Sequence, residues 1–320
     1  MYRVVSLFSG CGGADQGVVG DFVFNGRKYE ANPFSIIYAL DIDQKALDTH
    51  KMNFHCEQVV CDDICNIQSE SIPDHDVLIG GFPCQSFSTV NPTKNPFDDR
   101  ANLYKQMVRI AAEKKPKVFI AENVKGLLTL HKGKIIAKII DAFDKAGYTV
   151  KKKLIRCADY GVPQKRERVI IVGIRKDIEK EYEFPPTTNE NNWVPLSVAV
   201  PQLAIEDQKY YFSERAVQGM KNAKNNMKRG LAQNLDEPCL TVTSHLAKVS
   251  LNSRDPVLLV NAEKELYRRF TPREAARIQS FPDTFQFAGS ETDAYRQIGN
   301  AIPPVMFWHI SRSIIPILEE

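Results

Sequence analysis

The stretch VVSLFSGCGG, residues 4–13, decides the fold class of this 320-residue chain. An apolar run of strand length, residues 4–8, ends in a turn that holds three glycines within four positions. Glycines let a backbone approach a ligand closely, as they do in the α/β folds that bind nucleotides. A plain tight turn has the same composition, so the interpretation depends on the remainder of the sequence.

Strand-like and helix-like segments alternate through the first half of the chain. Strand-like runs occupy residues 35–40, 76–79, 118–121, 148–155 and 169–174, and helical patterns occupy residues 41–53, 101–114 and 134–146. This alternation predicts a mostly parallel, doubly wound α/β sheet, which binds ligands at the carboxyl ends of its strands. The unusual residues of the sequence collect at those ends.

Composition restricts the class of protein. Hydrophobic residues make up 43% and charged residues 25%, as in ordinary globular proteins. The seven cysteines are an odd number, and the first residues lack the pattern of a signal peptide, so we expect a reduced, cytoplasmic protein. The net charge of +3 neither indicates nor excludes a surface that binds nucleic acid.

The composition changes after residue 175, where Asn, Lys, Pro and isolated aromatic residues become frequent. We expect residues 176–267 to form a smaller, irregular domain between two parts of the main domain, residues 1–175 and 268–320. Strand-like alternation returns at residues 240–251. The sequence TPRE, residues 271–274, predicts a capped helix start, and we expect a turn at residues 298–304 before a last helix, residues 305–318.

Acidic residues follow two of the strands. Asp41 is placed to accept hydrogen bonds from both ribose hydroxyls of an adenosine group, and Asp43 is either a second contact or a helix N-cap. Asp62 and Asp63 either meet an adenine amino group or cap a turn. Because Asp15 breaks the strict dinucleotide fingerprint, S-adenosylmethionine fits this pattern better than NAD.

A cysteine follows another strand directly, in the segment GGFPCQSFS, residues 80–88. Most cysteines are small buried hydrophobic residues, but a thiol at this edge of the sheet is a candidate nucleophile. Glu122, in the sequence ENV, ends the neighbouring strand and offers a carboxyl group beside Cys84. Arg166 and Arg168 alternate, so they point the same way from an extended chain; a solvated basic edge is the alternative.

A zinc site is not expected. The candidate ligands are His50, His55, Cys56, Cys61 and Cys65. Their spacing does not match the Cys-x-x-Cys pattern of structural zinc sites. We therefore expect no metal.

In order along the chain, these motifs resemble those of the cytosine-C5 DNA methyltransferase family, in its bacterial restriction–modification type. FSGCGG looks like the family's cofactor loop, PCQ at residues 83–85 like its nucleophile motif and ENV like its acid motif. QKRER at residues 164–168, RFTPRE at residues 269–274 and GN at residues 299–300 look like three later motifs. The resemblance implies a Rossmann-like S-adenosylmethionine-dependent methyltransferase sheet, with residues 176–267 as the target recognition domain.

The resemblance also implies a reaction on a cytosine that is flipped out of duplex DNA. The Cys84 thiolate adds to C6, Glu122 contacts N3 and the exocyclic amine, and Arg168 holds O2 with Arg166 nearby. The methyl group passes from S-adenosylmethionine to C5, and loss of the C5 proton with elimination of Cys84 releases 5-methylcytosine. The implied cofactor-binding residues are Phe8, Gly10, Cys11, Gly12, Gly13, Asp41, Ile42, Asp63, Ile64, Pro83, Leu103, Asn300, Ala301 and Ile302.

The expected partner is double-stranded DNA. The implied contacts are Gln85, Ser86, Ser88, Asn123, Gln164 and Thr241, and residues 85–100 are predicted to close over the DNA. A basic cluster, Lys221, Lys224, Lys228 and Arg229, either grips DNA or forms a solvated helix face. We also expect a monomer, no membrane contact and a cognate restriction endonuclease that acts on the same site.

Two departures and three alternatives remain. Ile42 stands where many relatives have a bulky aromatic residue, so adenine would stack on an aliphatic face. The long stretch after Gly17 predicts a surface hairpin or loop around residues 25–28. The alternatives are a tRNA cytosine-C5 methyltransferase, a non-catalytic DNA-binding relative and a nucleotide-dependent oxidoreductase.

Overall fold

A seven-stranded sheet runs through the computed structural model, which describes residues 1–83, 103–222, 232–248 and 256–319. The strands are β1 (Tyr2–Leu7), β2 (Phe22–Phe24), β3 (Arg27–Tyr29), β4 (Phe34–Asp41), β5 (Gln58–Cys61), β6 (Val77–Gly80), β7 (Val118–Val124), β8 (Tyr148–Arg156), β9 (Glu167–Arg175), β10 (Leu258–Asn261) and β11 (Leu266–Arg268). The large sheet has the order β5-β4-β1-β6-β7-β9-β8. Its first five strands are parallel, and β9 runs antiparallel between β7 and β8.

Helices cover both faces of this sheet. The helices are α1 (Gly13–Val19), α2 (Gln44–Asn53), α3 (Leu103–Lys114), α4 (Lys134–Lys145), α5 (Glu214–Asn222), α6 (Pro272–Ile278), α7 (Glu291–Asn300), α8 (Pro304–Ser313) and α9 (Ile315–Leu318). On one face, alternate strand residues such as Val4 and Ile120 pack with α1 and α8. On the other face, residues such as Val5 and Phe119 pack with α3 and α4. The predicted doubly wound α/β fold is confirmed.

The antiparallel position of β9 brings two distant motifs together. The carboxyl ends of β1, β4, β5, β6 and β7 share one edge of the sheet, and β9 begins at that same edge. Val124 near the end of β7 lies opposite Arg168 near the start of β9. The segments around residues 122 and 168 are therefore neighbours, although they are far apart in sequence.

The stretch after α1 folds as a hairpin, as expected. β2 and β3 pair antiparallel across Asn25 and Gly26, whose φ values are 49° and 70°. Two consecutive positive φ angles are typical of the tight turn that suits two-residue hairpins. The rings of Phe22 and Tyr29 stack with centroids 4.9 Å apart.

The C-terminal part agrees with the sequence at one helix and differs at the next. Thr271 and Glu274 form the expected capping box at the start of α6. The turn expected at residues 298–304 is wrong in extent, because α7 continues through Asn300. The last helix divides into α8 and α9, because Pro316 has no N–H with which to continue the helical hydrogen bonds.

One run in the described residues, Glu291–Leu318, is long and apolar enough to cross a membrane by composition alone. This run is not one continuous helix, since residues 301–303 separate α7 from α8. Its most apolar window is 72% buried inside the protein. These properties are those of helices in a protein core.

The described part of residues 176–267 is irregular. It contains α5, the β10–β11 hairpin and several short turns of 3₁₀-helix. Its apolar side chains, including Leu196, Val242 and Leu246, form a third cluster with residues of α6 and α7. Tyr182 packs instead with α8 and α9, which shows that the segment's first residues join the main core. The strand-like alternation at residues 240–251 produces no strand within residues 240–248.

Arg268, which the sequence analysis missed, ties this segment to α6. Its guanidinium is fully buried and pairs with both oxygens of Glu274, at 2.7 and 2.8 Å. It also donates to the carbonyl oxygens of Gln202, Leu203 and Arg269. Every N–H of the guanidinium thus has a partner, which is the condition under which a charge is tolerated inside a protein.

Candidate functional site

A cavity of about 1440 Å³ opens at the carboxyl ends of the five parallel strands. Pockets for a single small molecule are typically ~300–1,000 Å³, so this cavity has room for more than one ligand group. The predicted cofactor residues that line it are Phe8, Gly10, Cys11, Gly13, Asp41, Ile42, Asp63, Ile64, Pro83, Leu103, Asn300, Ala301 and Ile302. The predicted catalytic residues that line it are Glu122, Arg166 and Arg168.

The loop between β1 and α1 is strained at one end of this cavity. Phe8 has φ 53°, a left-handed conformation that a bulky residue rarely adopts. Gly10 also has positive φ, and a Cβ atom there would project into open space. A Cβ on Gly12 would lie 2.3 Å from the Phe54 ring, and one on Gly13 would lie 2.5 Å from the carbonyl oxygen of Ile302. Gly10 therefore leaves room for a ligand, whereas Gly12, which does not line the cavity, serves packing.

Asp41 holds this loop in place. Its carboxylate accepts the backbone N–H of Gly10 at 2.8 Å and that of Asp43 at 2.9 Å. Burial raises the pKa of Asp41, and the two N–H donors oppose that rise. Asp43 is the N-cap of α2, accepting from Lys45 and Ala46, so its N-cap interpretation is the one that the structure shows.

Two further features lie at the same end of the cavity. The Ile42 side chain is 70% exposed, so its aliphatic face is available to a flat ring. Asp63 accepts the backbone N–H of Cys65 at 2.9 Å, and Asp62 accepts that of Asp63 at 2.7 Å. Both carboxylates cap turns, as the alternative interpretation had it, while both also line the cavity.

The other end of the cavity holds a carboxylate–guanidinium pair. Glu122 on β7 and Arg168 on β9 lie 2.7 Å apart, and both side chains are nearly buried. Arg168 also donates to the carbonyl oxygen of Glu167 at 2.8 Å. A Cβ on Gly81 would lie 3.3 Å from Glu122 Oε2, so the backbone that leads to Pro83 runs beside this carboxylate.

Cys84, Gln85, Ser86 and Ser88 lie outside the described residues. The chain just before them is held by Asn123, whose side-chain amide donates to the carbonyl oxygen of Phe82 at 2.8 Å. Asn123 is 2% exposed. This contact holds the backbone at Phe82, and Asn123 also lines the cavity, so its expected DNA contact stays a prediction.

Gln164 and Arg166 also point inward. Gln164 is fully buried and accepts the backbone N–H of Val242 at 2.9 Å, and its expected DNA contact stays a prediction. Arg166 is 2% exposed and donates to the carbonyl oxygens of Val242, Gly299 and Ala301 at 3.2–3.3 Å. Burial lowers the pKa of Arg166 to about 9, with Arg168 adding to the effect, so the group stays protonated at neutral pH. Arg166 also lines the cavity, and its expected catalytic role stays a prediction.

Within residues 176–267, the residues expected to face DNA are only partly described. Thr241 is partly exposed next to Val242. Lys221 lies on α5 and pairs with Glu265, which agrees with the helix-face interpretation at this position. Lys224, Lys228 and Arg229 lie outside the described residues.

Ser6, Asp15 and His50 form a buried polar cluster behind the loop between β1 and α1, which no sequence pattern predicted. His50 Nε2 lies 3.4 Å from Asp15 Oδ1, and the Ser6 hydroxyl donates to the other oxygen of Asp15 at 3.1 Å. The sequence showed Asp15 only as a departure from the dinucleotide fingerprint. Within the described residues, no group of three or more His, Cys, Asp and Glu side chains is arranged to hold a metal ion.

Comparison with known proteins adds to this geometry. A family model described as C-5 cytosine-specific DNA methylase matches residues 2–316. The Type II methyltransferase M.NgoFVII of Neisseria gonorrhoeae is 36% identical, over 99% of this chain and 87% of the relative. M.FnuDI of Fusobacterium nucleatum, also a Type II methyltransferase, is 33% identical over 99% and 95% of the two chains.

Solved structures show the same fold. A DNA modification methyltransferase encoded within an E. coli prophage superposes with a TM-score of 0.77 at 23% identity, covering 100% of both chains. The Dnmt2 methyltransferase of S. pombe superposes with a TM-score of 0.77 at 18% identity, covering 99% of both chains. At these identities the likeness concerns the fold alone.

Proposed function

The chain belongs to the C-5 cytosine-specific DNA methylase family, and we propose that its large cavity binds S-adenosylmethionine beside a flipped cytosine. It is a DNA (cytosine-5-)-methyltransferase, and its relatives M.NgoFVII and M.FnuDI are named Type II methyltransferases. One observation carries the proposal. The same cavity is lined by Gly10 with its hydrogen-bond partner Asp41 and by the ion pair of Glu122 and Arg168.

The cofactor end of the cavity fits S-adenosylmethionine. Gly10 leaves open space beside the loop, and each Asp41 oxygen has acceptor capacity beyond its one backbone N–H. Ile42 offers an exposed aliphatic face to adenine. When bound, S-adenosylmethionine supplies an electrophilic methyl group.

We propose that the other end carries the covalent chemistry. The Cys84 thiolate adds to C6 of cytosine, which makes C5 nucleophilic. Glu122 contacts N3 and the exocyclic amine, and Arg168 fixes the orientation of Glu122 and faces O2. After C5 has gained the methyl group, the C5 proton leaves and the C6–S bond breaks, which restores the aromatic ring and the thiolate.

Asp41→Ala is expected to weaken S-adenosylmethionine binding by one to two charge-assisted hydrogen bonds, each worth about 1.5–3 kcal/mol. DNA affinity should change little. Isothermal calorimetry with the full chain measures both. Asp43→Ala is the matched control, since it removes an N-cap worth about 1 kcal/mol of stability but no expected ribose contact. Unchanged cofactor affinity in Asp41→Ala would reassign the ribose contact.

We further propose that residues 176–267 read the DNA sequence, while residues 1–175 and 268–320 form the catalytic domain. One observation supports this division. The cofactor and catalytic residues lie on either side of the segment in the chain.

Replacing residues 190–265 with the equivalent segment of a relative of different specificity is expected to transfer that specificity. The exchange begins after Tyr182, which belongs to the main core, and ends before the buried Arg268. Bisulfite sequencing of DNA modified by the chimera gives the readout. A folded, active chimera that still methylates the original site would place recognition elsewhere, such as residues 85–100.

We propose a cytoplasmic monomer that protects DNA against a cognate restriction endonuclease. The Type II names of the relatives support the restriction–modification role. Cys11, Cys56, Cys61, Cys157 and Cys239 are free thiols, which agrees with a reducing compartment. Light scattering on the protein as it elutes from a size-exclusion column measures its mass and so tests whether it is a monomer.

The proposed function is tested with tritiated S-adenosylmethionine and either duplex DNA or tRNA. Tritium label is expected in the duplex. Bisulfite sequencing of DNA from a host that expresses the protein should map the methylated cytosines to one sequence. Label in tRNA alone would contradict the proposed substrate.

A further inference from the structure

The backbone of Val242 is held between two buried side chains of the catalytic domain. Gln164 Oε1 accepts its N–H at 2.9 Å, and an Arg166 nitrogen donates to its carbonyl oxygen at 3.3 Å. Three residues earlier, the N–H and the carbonyl oxygen of Cys239 bond to the backbones of residues 163 and 165. The recognition segment is thus fixed to the catalytic domain immediately beside Thr241.

The same Arg166 guanidinium reaches the cofactor end of the cavity. It donates to the carbonyl oxygens of Gly299 and Ala301, and Ala301 lines the cavity. Gln279 closes the network: its amide donates to the carbonyl oxygen of Ala301 at 3.2 Å, and its oxygen accepts from Gln164 at 2.7 Å.

This junction has little room to adjust. A Cβ atom on Gly299 would lie 2.2 Å from the backbone nitrogen of Ser244. Arg166 Nε has no partner among the described groups. The buried guanidinium is therefore stabilised by its hydrogen bonds to the carbonyl oxygens of Val242, Gly299 and Ala301. Losing one of them leaves a buried donor unpaired, which is costly. A shift of residues 241–244 therefore perturbs Ala301 as well.

We propose that Arg166 couples the recognition segment to the cofactor site, so that cognate DNA and S-adenosylmethionine strengthen each other's binding. This inference rests on the proposed function. Arg166 is a positioning residue in this view, since it acts through the backbones of Val242 and Ala301 rather than on the base. By thermodynamic linkage the strengthening is reciprocal.

The test measures S-adenosylhomocysteine affinity by calorimetry, with and without a duplex that contains the mapped methylation site. Cognate DNA is expected to tighten binding to the wild type by a factor of roughly 5–150. In Arg166→Lys, which cannot reach all three carbonyl oxygens, this factor should fall towards one. The affinity of Arg166→Lys for S-adenosylhomocysteine in the absence of DNA should change by a smaller ratio than the tightening by DNA does. Lys165→Ala is the matched control, because Lys165 pairs with Glu237 of the same segment at the exposed surface, and it should keep the full factor.

A folded Arg166→Lys protein with the wild-type factor would overturn the proposal, as would a wild-type factor of one. Gln164→Glu is the second variant, because it keeps an acceptor for Val242 but loses the donor to Gln279. A reduced factor in Gln164→Glu supports the coupling, and a full factor contradicts it, even if Arg166→Lys does not fold. A wild type that binds no S-adenosylhomocysteine would instead contradict the proposed cofactor.

Discussion

Cys84→Ser is expected to reduce methyl transfer to background while S-adenosylmethionine binding survives. A serine hydroxyl is protonated at neutral pH and is a far weaker nucleophile towards C6 than a thiolate. Cys84 lies outside the described residues, but Pro83 lines the cavity and Asn123 holds the carbonyl oxygen of Phe82. The described backbone is therefore held at the cavity up to Pro83, the residue that precedes Cys84 in the sequence. Single-turnover transfer of a tritiated methyl group to duplex DNA measures the effect.

Cys65→Ser is the matched control for this change, since Cys65 is an exposed cysteine that also lines the cavity. Its turnover should stay close to that of the wild type. Calorimetry checks that Cys84→Ser still binds the cofactor. If Cys84→Ser retained more than a few per cent of turnover, Cys84 would not be the nucleophile.

Glu122→Gln is expected to lower kcat/KM by about 10²–10⁴-fold. Glutamine keeps the shape of the side chain but cannot carry the charge or exchange the proton that the addition step requires. It also leaves the nearly buried Arg168 without its carboxylate partner at 2.7 Å. Steady-state kinetics on duplex DNA gives the value, and circular dichroism verifies the fold.

Glu167→Gln provides the comparison for Glu122→Gln. Glu167 lies one residue before Arg168 and pairs with Lys125 at 2.8 Å, with more of its side chain exposed to solvent. Exposed pairs of this kind are worth ~0–1 kcal/mol, so this variant should remain close to wild type. Comparable losses in the two variants would remove Glu122 from its specific role.

The elements most readily predicted from the sequence were those with a strong local pattern. The turn after β1, the runs that became β4, β6 and β7, and the capped start of α6 each have a short-range cause. The antiparallel insertion of β9 depends on pairing with distant strands, which no local pattern reports. Gly299 and Asn300 favour a turn locally, but α7 continues through Asn300, because its Ala294, Tyr295 and Ile298 pack in a cluster with residues that are distant in sequence.

The site divides in the same way. The alternation of Arg166 and Arg168 indicated that the two side chains point the same way, and both line the cavity. The alternation could not show that the Arg166 guanidinium would donate to the carbonyl oxygens of residues 242, 299 and 301, which are remote in sequence. The roles of Asn123 and Arg268 could not be predicted from the sequence for the same reason. Each side chain binds backbone groups whose positions depend on the complete fold.

Trapping on 5-fluorocytosine tests the covalent mechanism most directly. Fluorine at C5 cannot leave as a proton does, so the C6–S bond cannot break after methyl transfer. The wild type, incubated with S-adenosylmethionine and a duplex carrying 5-fluorocytosine at the mapped site, should form a denaturant-stable complex. Peptide mapping should place the link at Cys84, and Cys84→Ser should give no complex. A wild type that forms no stable complex, or one linked through another residue, would contradict the mechanism.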